Sequence, residues 1–173
     1  LLLLVAVIAT YSNCLQNDFL WHDEFLIQKN SYLRDFKHFP KMLVSSSTAG
    51  FGGSDNFYRP TQNIYYLFIF QAFGYNKVAF HLGNIFLHLL NAWLLFLVLA
   101  RILKDKKWAL LASILWAVHP THIEAVTYIS GTADPMGLFF FLWGLYIFPF
   151  ENIKKNWKSF VCANLLFVLS LLS

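Results

Sequence analysis

Long apolar runs separated by polar connections divide the chain into segments that each predict a helix. A helix that crosses a lipid bilayer needs about 20 mainly apolar residues. The runs 78–103 and 108–130 contain 26 and 23 residues, whereas 136–150 is shorter. The runs predicted to span the membrane are 1–12, 78–103, 108–130, 136–150 and 157–173. The pattern therefore predicts an all-α membrane protein, a polytopic helical bundle.

Both ends of the chain lie within apolar runs. The sequence starts with Leu1 rather than Met and ends at Ser173 inside the last run. We therefore expect an N-terminal fragment of a longer membrane domain. Residues 1–12 fit either a cleaved signal peptide or a truncated transmembrane helix, and the later spans favour the helix.

A polar segment of 64 residues, 13–76, separates the first two runs and predicts a large outer loop. Helical patterns at 23–39 and 62–73 predict two juxtamembrane helices in it, and the aromatic residues of the second favour a position in the membrane interface. The connections 101–107 and 151–158 carry four and three basic residues, each against one acidic residue. The positive-inside rule places both connections in the cytoplasm and the loop on the opposite side.

The composition agrees with a membrane protein, since 58% of the residues are hydrophobic and 13% are charged. Soluble proteins carry about 25% charged residues. The cysteines, Cys14 and Cys162, indicate neither a disulfide framework nor a metal site. We expect an integral, multi-pass membrane protein that contacts membrane lipid and not nucleic acid.

Charged residues of the outer loop are the first candidates for a functional site. Asp23 and Glu24 are adjacent and follow the first apolar run. A charge near the bilayer is costly and is therefore usually functional, although a solvated helix N-cap explains Asp23 equally well. Arg59, between Tyr58 and Pro60, presents a fork of donors that matches phosphate. On position alone, an arginine that reaches toward the lipid headgroups is the preferred interpretation.

Four polar residues of the second apolar run lie on one face of the predicted helix. At 100° per residue, His81, Asn84, His88 and Asn91 cover about an 80° arc. Such a stripe faces a protein interior or a water-filled cavity and not lipid. Hydrogen bonding between helices is the alternative function, most of all for Asn91. His81 lies nearest the outer surface.

The third apolar run contains three titratable residues around Pro120, namely His119, His122 and Glu124. Proline removes a backbone hydrogen bond, so we expect the helix to bend there. The three side chains could hold a divalent metal, although their spacing is not that of a zinc hydrolase. A hydrogen-bonded packing site is the alternative. Asp134 follows a turn and is expected to cap the next helix.

Several short motifs occur in an order that resembles one family of enzymes. They are Trp21-His22-Asp23-Glu24, Tyr58-Arg59-Pro60, His81-Leu82-x-Asn84 with His88, and His119-Pro120-x-His122-x-Glu124-Ala125 with Ser130-Gly131. The combination resembles the GT-C membrane glycosyltransferases, in particular the protein O-mannosyltransferase-like branch with transmembrane segments and tetratricopeptide repeats. That branch often has two aspartates where this chain has Asp23 and Glu24, so the class of acceptor is open.

The resemblance implies transfer of a sugar, mannose or a similar hexose, from a polyprenyl- or dolichyl-phosphate donor to an acceptor hydroxyl on the outer side, with inversion. Asp23 would act as general base, and Glu24 would support it or position the acceptor. Arg59 would bind the lipid phosphate, helped by His81. The remaining candidates, which would line the cavity, are His119, His122 and Glu124.

Expected partners are the lipid-linked sugar and a protein or glycan acceptor, and a divalent metal stays open as a cofactor. The membrane would be the endoplasmic reticulum of a eukaryote or the cell membrane of a prokaryote. Two other functions fit the pattern. A transporter or lipid-carrier flippase would line its path with the polar stripe, although such proteins often repeat an interrupted span and this chain does not. A non-catalytic subunit would keep the fold without the activity.

Overall fold

The computed structural model describes residues 1–53, 56–150 and 155–173, and within these ranges the regular structure is helical, without a strand. The α-helices of these ranges are α1 (Leu2–Tyr11), α2 (Phe39–Met42), α3 (Pro60–Phe73), α4 (Lys77–Leu103), α5 (Lys106–Ala117), α6 (Ile123–Thr127), α7 (Ala133–Ile147) and α8 (Trp157–Leu171). The predicted all-α fold is confirmed. Part of the basic connection predicted at 151–158 lies outside the described residues.

Helix α4 is the longest element and contacts most of the others. Its 27 residues touch α1, α3, α5, α6 and α7. It is the one helix of the described ranges that is long and apolar enough to cross a membrane, and α5 and α6, bent by 50° at a short break, would form a second span if counted together. Helices α1, α7 and α8 have 10, 15 and 15 residues. The polytopic bundle therefore stays a prediction.

The single helix predicted at 23–39 is wrong. The segment instead forms short turns and one short helix, Glu24–Gln28, Ser31–Arg34, Phe36–His38 and Phe39–Met42. Asn30 and Asp35 lie between turns with extended backbones, and the side chain of each accepts a hydrogen bond from the backbone N–H two residues later. Asn and Asp side chains compete with helical hydrogen bonds in this way. The helix predicted at 62–73 is confirmed as α3, which starts at Pro60 because proline fits a first helical turn.

The run predicted as one span at 108–130 is broken near Pro120. Helix α5 ends at Ala117, and His119 has an extended backbone because a residue before proline avoids the helical conformation. The chain resumes as a short turn, then as α6, and then as a 3₁₀ turn at Ile129–Thr132. The predicted bend is confirmed, but the helix does not continue to residue 130.

The start of α7 also differs from the sequence prediction. Thr132 precedes the helix, and Asp134 is already its second residue. The prediction that Asp134 caps this helix is therefore wrong. The side chain of Asp134 is exposed in the first turn, where a negative charge interacts favourably with the helix dipole.

Two clusters of buried apolar side chains hold the fold together. The first joins α1 to α4 and α5, and in it the Tyr11 hydroxyl donates a hydrogen bond to the carbonyl oxygen of Ala117 at 3.1 Å. The second joins the part of the loop that precedes α3 to α3 and α4, through Ile27, Leu33, Met42, Tyr66 and Phe80. The second cluster holds the loop against the beginning of α3, beside the candidate site.

Candidate functional site

A cavity of about 400 Å³ opens between the outer loop, the beginning of α3, helix α6 and the beginning of α7. Apolar side chains form part of its wall. The polar and charged residues that line it include His22, Arg59, Gln62, Glu124, Ser130 and Asp134. Clefts that combine an apolar wall with a few converging polar groups are the usual form of a small-molecule site.

Three charged side chains of this cavity, Arg59, Glu124 and Asp134, have no ionic partner among the residues that the structure describes. The ion pairs of the described residues are elsewhere, and these three side chains make no hydrogen bond within that part of the chain. The guanidinium of Arg59 lies over the ring of Phe57, 5.2 Å from its centre. One cation and two carboxylates are thus available to a ligand. The cation suits a phosphate, and the carboxylates suit hydroxyl groups.

Asp23 lies directly behind the cavity wall. Its carboxylate is buried, with 1% of the residue exposed. Its Oδ2 accepts the N–H of Leu20 at 2.9 Å, and its Oδ1 accepts both the N–H of Ser130 at 2.8 Å and the Ser130 hydroxyl. Ser130 lines the cavity, whereas Asp23 does not. Asp23 makes no side-chain cap hydrogen bond, so the N-cap interpretation is not supported.

Glu24 points away from its neighbour. Its carboxylate forms an ion pair with Lys29 at 2.8 Å, and both side chains are about half exposed. The adjacent acids therefore occupy different environments, one buried under the cavity and one at the surface. The structure does not bring them together as a pair.

The turn Ile129–Thr132, which carries Ser130, is held by buried side chains from two helices. The Gln62 amide donates to the carbonyl oxygen of Ser130 at 3.0 Å, and the Tyr66 hydroxyl donates to that of Ile129 at 2.8 Å. Burial raises the pKa of Tyr66, which keeps its hydroxyl a donor. Asn84 of α4 accepts the Thr132 hydroxyl at 2.6 Å. These hydrogen bonds hold the turn in the cavity wall in one position, because a buried polar group that loses its partner is costly.

Helix α6 approaches the same turn closely. A Cβ atom on Gly131 would lie 2.9 Å from the carbonyl oxygen of Glu124 and 3.1 Å from the Cα atom of Ala125. A side chain at this position would push the two segments apart. Glycine therefore allows the wall and the Glu124 helix to meet.

The predicted polar stripe of α4 is buried in the protein, as expected. Asn91 donates to the carbonyl oxygen of Pro135 at 2.7 Å, and His88 Nε2 lies 2.8 Å from that of Ala117. These contacts support the interpretation as hydrogen bonding between elements. His81 is also buried, but within the described ranges neither of its ring nitrogens makes a hydrogen bond, and it does not line the cavity. Its predicted role at the phosphate stays a prediction.

The structure brings Glu124 to the cavity but not His119 or His122. The ring of His122 lies 4.4 Å from that of Trp116, and His119 Nδ1 accepts the backbone N–H of Thr121 at 3.2 Å. Among the described residues, no three His, Cys, Asp or Glu side chains are placed to hold a metal ion. The substrate-binding roles of both histidines and the divalent metal stay predictions.

The sequence alone did not single out several residues of this site. The sequence assigns no role to Gln62 or Tyr66, it predicts only a helix cap for Asp134, and Ser130 enters only as part of a motif. One sequence pattern could have pointed to two of them: Gln62 and Tyr66 are four residues apart in a predicted helix, so they share one helix face. The link from Asp23 to Ser130 spans 107 residues of chain, and no local pattern reports such a contact.

Sequence comparison relates the chain to proteins of known name. It is 27% identical over 165 residues to protein O-mannosyl-transferase Tmtc1 of Drosophila melanogaster, a match that covers 94% of this chain and 19% of the relative. It is 31% identical over 146 residues to protein O-mannosyl-transferase TMTC2 of Homo sapiens, covering 80% and 17%. For TMTC3 of Homo sapiens the identity is 33% over 85 residues, covering 49% and 9%.

No family model matches the chain, and no solved structure matches it. The chain spans less than a fifth of the length of each of the three relatives. The Drosophila match nevertheless extends over nearly the whole chain. The resemblance predicted from the motifs is therefore confirmed: along most of its length the chain is similar to part of proteins named as TMTC protein O-mannosyl-transferases.

Proposed function

We propose that the chain forms part of the active site of a membrane glycosyltransferase. The enzyme moves a hexose, mannose or a similar sugar, from a polyprenyl- or dolichyl-phosphate donor to a hydroxyl of a protein or glycan acceptor, with inversion. The observation that carries the proposal is the cavity in which Arg59, Glu124 and Asp134 have no ionic partner among the described residues, while Ser130 of its wall is hydrogen-bonded to the buried Asp23. The names of the relatives support the class of reaction.

Arg59 is the proposed binding group for the lipid phosphate. Displacement of a phosphate from an anomeric carbon leaves an anion, which needs a cation or donors where the charge develops. Arg59 immediately precedes α3, its contact with the ring of Phe57 orients it, and no carboxylate of the described residues neutralises it. His81 stays a proposed helper, and His119 and His122 stay proposed contributors to substrate binding.

The carboxylates act on the acceptor in the proposed reaction: one takes its proton and another positions it. Asp23 is the general base that receives the proton of the attacking hydroxyl, and Glu24 supports it from the surface. Glu124 lines the cavity and forms no ion pair with another described residue, and it positions the acceptor by accepting hydrogen bonds from the acceptor's other polar groups. No group of three His, Cys, Asp or Glu side chains among the described residues fits a divalent metal, so no step of the proposed reaction is assigned to one.

The proposed enzyme is an integral membrane protein with several spans. Helix α4 is the strongest candidate for a span, and the bent pair α5 and α6 is the next. The outer loop and the cavity then face the lumen of the endoplasmic reticulum, or the cell exterior in a prokaryote. The basic connection between α4 and α5 supports this orientation because positive charges favour the cytoplasmic side.

Substitution of Arg59 tests the phosphate site. In the whole protein purified in detergent, Arg59→Ala should raise the KM for polyprenyl-phosphate mannose by about 10- to 100-fold, since hydrogen bonds to charged groups contribute about 1.5–3 kcal/mol. Arg34→Ala is the matched control, because Arg34 is exposed in the same loop and does not line the cavity. An unchanged KM in Arg59→Ala would remove Arg59 from the phosphate site.

A further inference from the structure

Asp23 and the cavity are separated by one residue. A general base has to come within hydrogen-bond reach of the proton that it takes, directly or through one intervening group. Both oxygens of Asp23 already accept hydrogen bonds inside the protein, and the residue is 1% exposed. A hydroxyl group that enters the cavity therefore meets Ser130 before it can meet Asp23.

Ser130 lies between Asp23 and the cavity and is hydrogen-bonded to Asp23. Its hydroxyl and its N–H both donate to Oδ1 of Asp23, and Gln62 holds its carbonyl oxygen from the other side. A serine hydroxyl has one donor hydrogen and two acceptor lone pairs. Because the hydrogen is directed to Asp23, and no donor of the described residues bonds to this oxygen, a lone pair is available to a hydroxyl in the cavity.

We propose that Ser130 passes the acceptor's proton to Asp23, an inference that rests on the glycosyl transfer proposed above. As the acceptor oxygen bonds to the anomeric carbon, the bond from that carbon to the phosphate oxygen breaks, and its electron pair leaves with the lipid phosphate. The acceptor's proton moves to Oγ of Ser130 while the Ser130 proton moves to Oδ1 of Asp23. The products are the glycoside, the lipid phosphate and a protonated Asp23, which returns the proton to solvent by the same path.

The variant Ser130→Ala distinguishes the proposed proton transfer by the Ser130 hydroxyl from the structural role of the Ser130 backbone in the cavity wall. The substitution removes the hydroxyl but keeps the backbone N–H bonded to Asp23 and the carbonyl oxygen bonded to Gln62. Ser130→Thr keeps the hydroxyl. Thr127→Val is the matched control, because the Thr127 hydroxyl donates to the carbonyl oxygen of Ile123 within the same helix and the residue does not line the cavity.

The test is single-turnover transfer by the whole protein in detergent, with polyprenyl-phosphate mannose and an acceptor that the wild type uses. Ser130→Ala should lower the single-turnover rate constant about 100-fold, the usual range for loss of a general base. The donor concentration that gives the half-maximal rate should not change. Ser130→Thr should restore most of the rate, and Thr127→Val should keep it. Asp23→Asn combined with Ser130→Ala should be no slower than the slower single variant, because the two residues act as a unit.

A measurement on the wild type alone covers the case in which Ser130→Ala fails to fold. Two protons that move together give a curved dependence of the rate on the fraction of D₂O, and a straight line would overturn the relay. Full activity of Ser130→Ala beside an inactive Asp23→Asn would overturn the relay and leave the proposed function standing. No transfer by the folded wild type with any lipid-linked sugar would overturn the function and the relay together.

Discussion

At the scale of single residues, two neighbouring carboxylates have opposite surroundings. Asp23 is buried and accepts three hydrogen bonds from Leu20 and Ser130. Glu24 is about half exposed and pairs with Lys29. The position of the two acids in the sequence does not predict that one is buried and the other exposed. Their difference arises from Ser130, which folding brings to Asp23 from a distant part of the chain.

The different surroundings of Asp23 and Glu24 predict that replacing each by alanine lowers the free energy of unfolding by different amounts. Asp23→Ala should destabilise the protein by about 3 kcal/mol, because it leaves buried N–H and hydroxyl donors without an acceptor. Glu24→Ala should cost about 0.5 kcal/mol or less, because solvent screens an exposed ion pair. Thermal unfolding in detergent, followed by the loss of helical circular dichroism, measures both variants under one condition. Equal losses would contradict the assigned environments.

At the scale of secondary structure, the site depends on the turn at Ile129–Thr132 more than on any helix. Asp23, Gln62, Tyr66 and Asn84 reach this turn from the outer loop, α3 and α4. The sequence predicts α3 and α4 well, because long apolar runs define them. It does not predict the turn, because a polar network between distant segments has no periodicity along the chain.

Tyr66→Phe tests the support of this turn. The substitution removes the hydroxyl that donates to the carbonyl oxygen of Ile129 and accepts from the Gln62 amide. The Thr132 hydroxyl still donates to that carbonyl oxygen, so the loss should cost about 0.5–1.5 kcal/mol of unfolding free energy. Tyr75→Phe is the matched control, because the Tyr75 hydroxyl bonds to Gln28 at an exposed position and its loss should cost little. Denaturant unfolding of the two variants should show the larger decrease in midpoint for Tyr66→Phe.

At the scale of the whole molecule, the helical class and the resemblance to O-mannosyl-transferases are predictable from sequence. Periodicity predicts the buried face of α4, and Pro120 predicts the bend after α5. The helix predicted at 23–39 is wrong because Asn30 and Asp35 use their side chains to end short turns. The cavity is not predictable from any one segment, since Arg59, Glu124 and Asp134 come from three parts of the chain.

The central claim is that Asp23 serves a lipid-dependent glycosyl transfer at this cavity. The most direct measurement is release of polyprenyl phosphate from polyprenyl-phosphate mannose by the whole protein in detergent, with the wild type compared with Asp23→Asn. We expect release by the wild type and a rate about 100- to 10,000-fold lower in a folded Asp23→Asn. Equal release by both proteins would contradict the role of Asp23. No release by the folded wild type across several donors would contradict the enzyme itself and favour a transporter or a non-catalytic subunit.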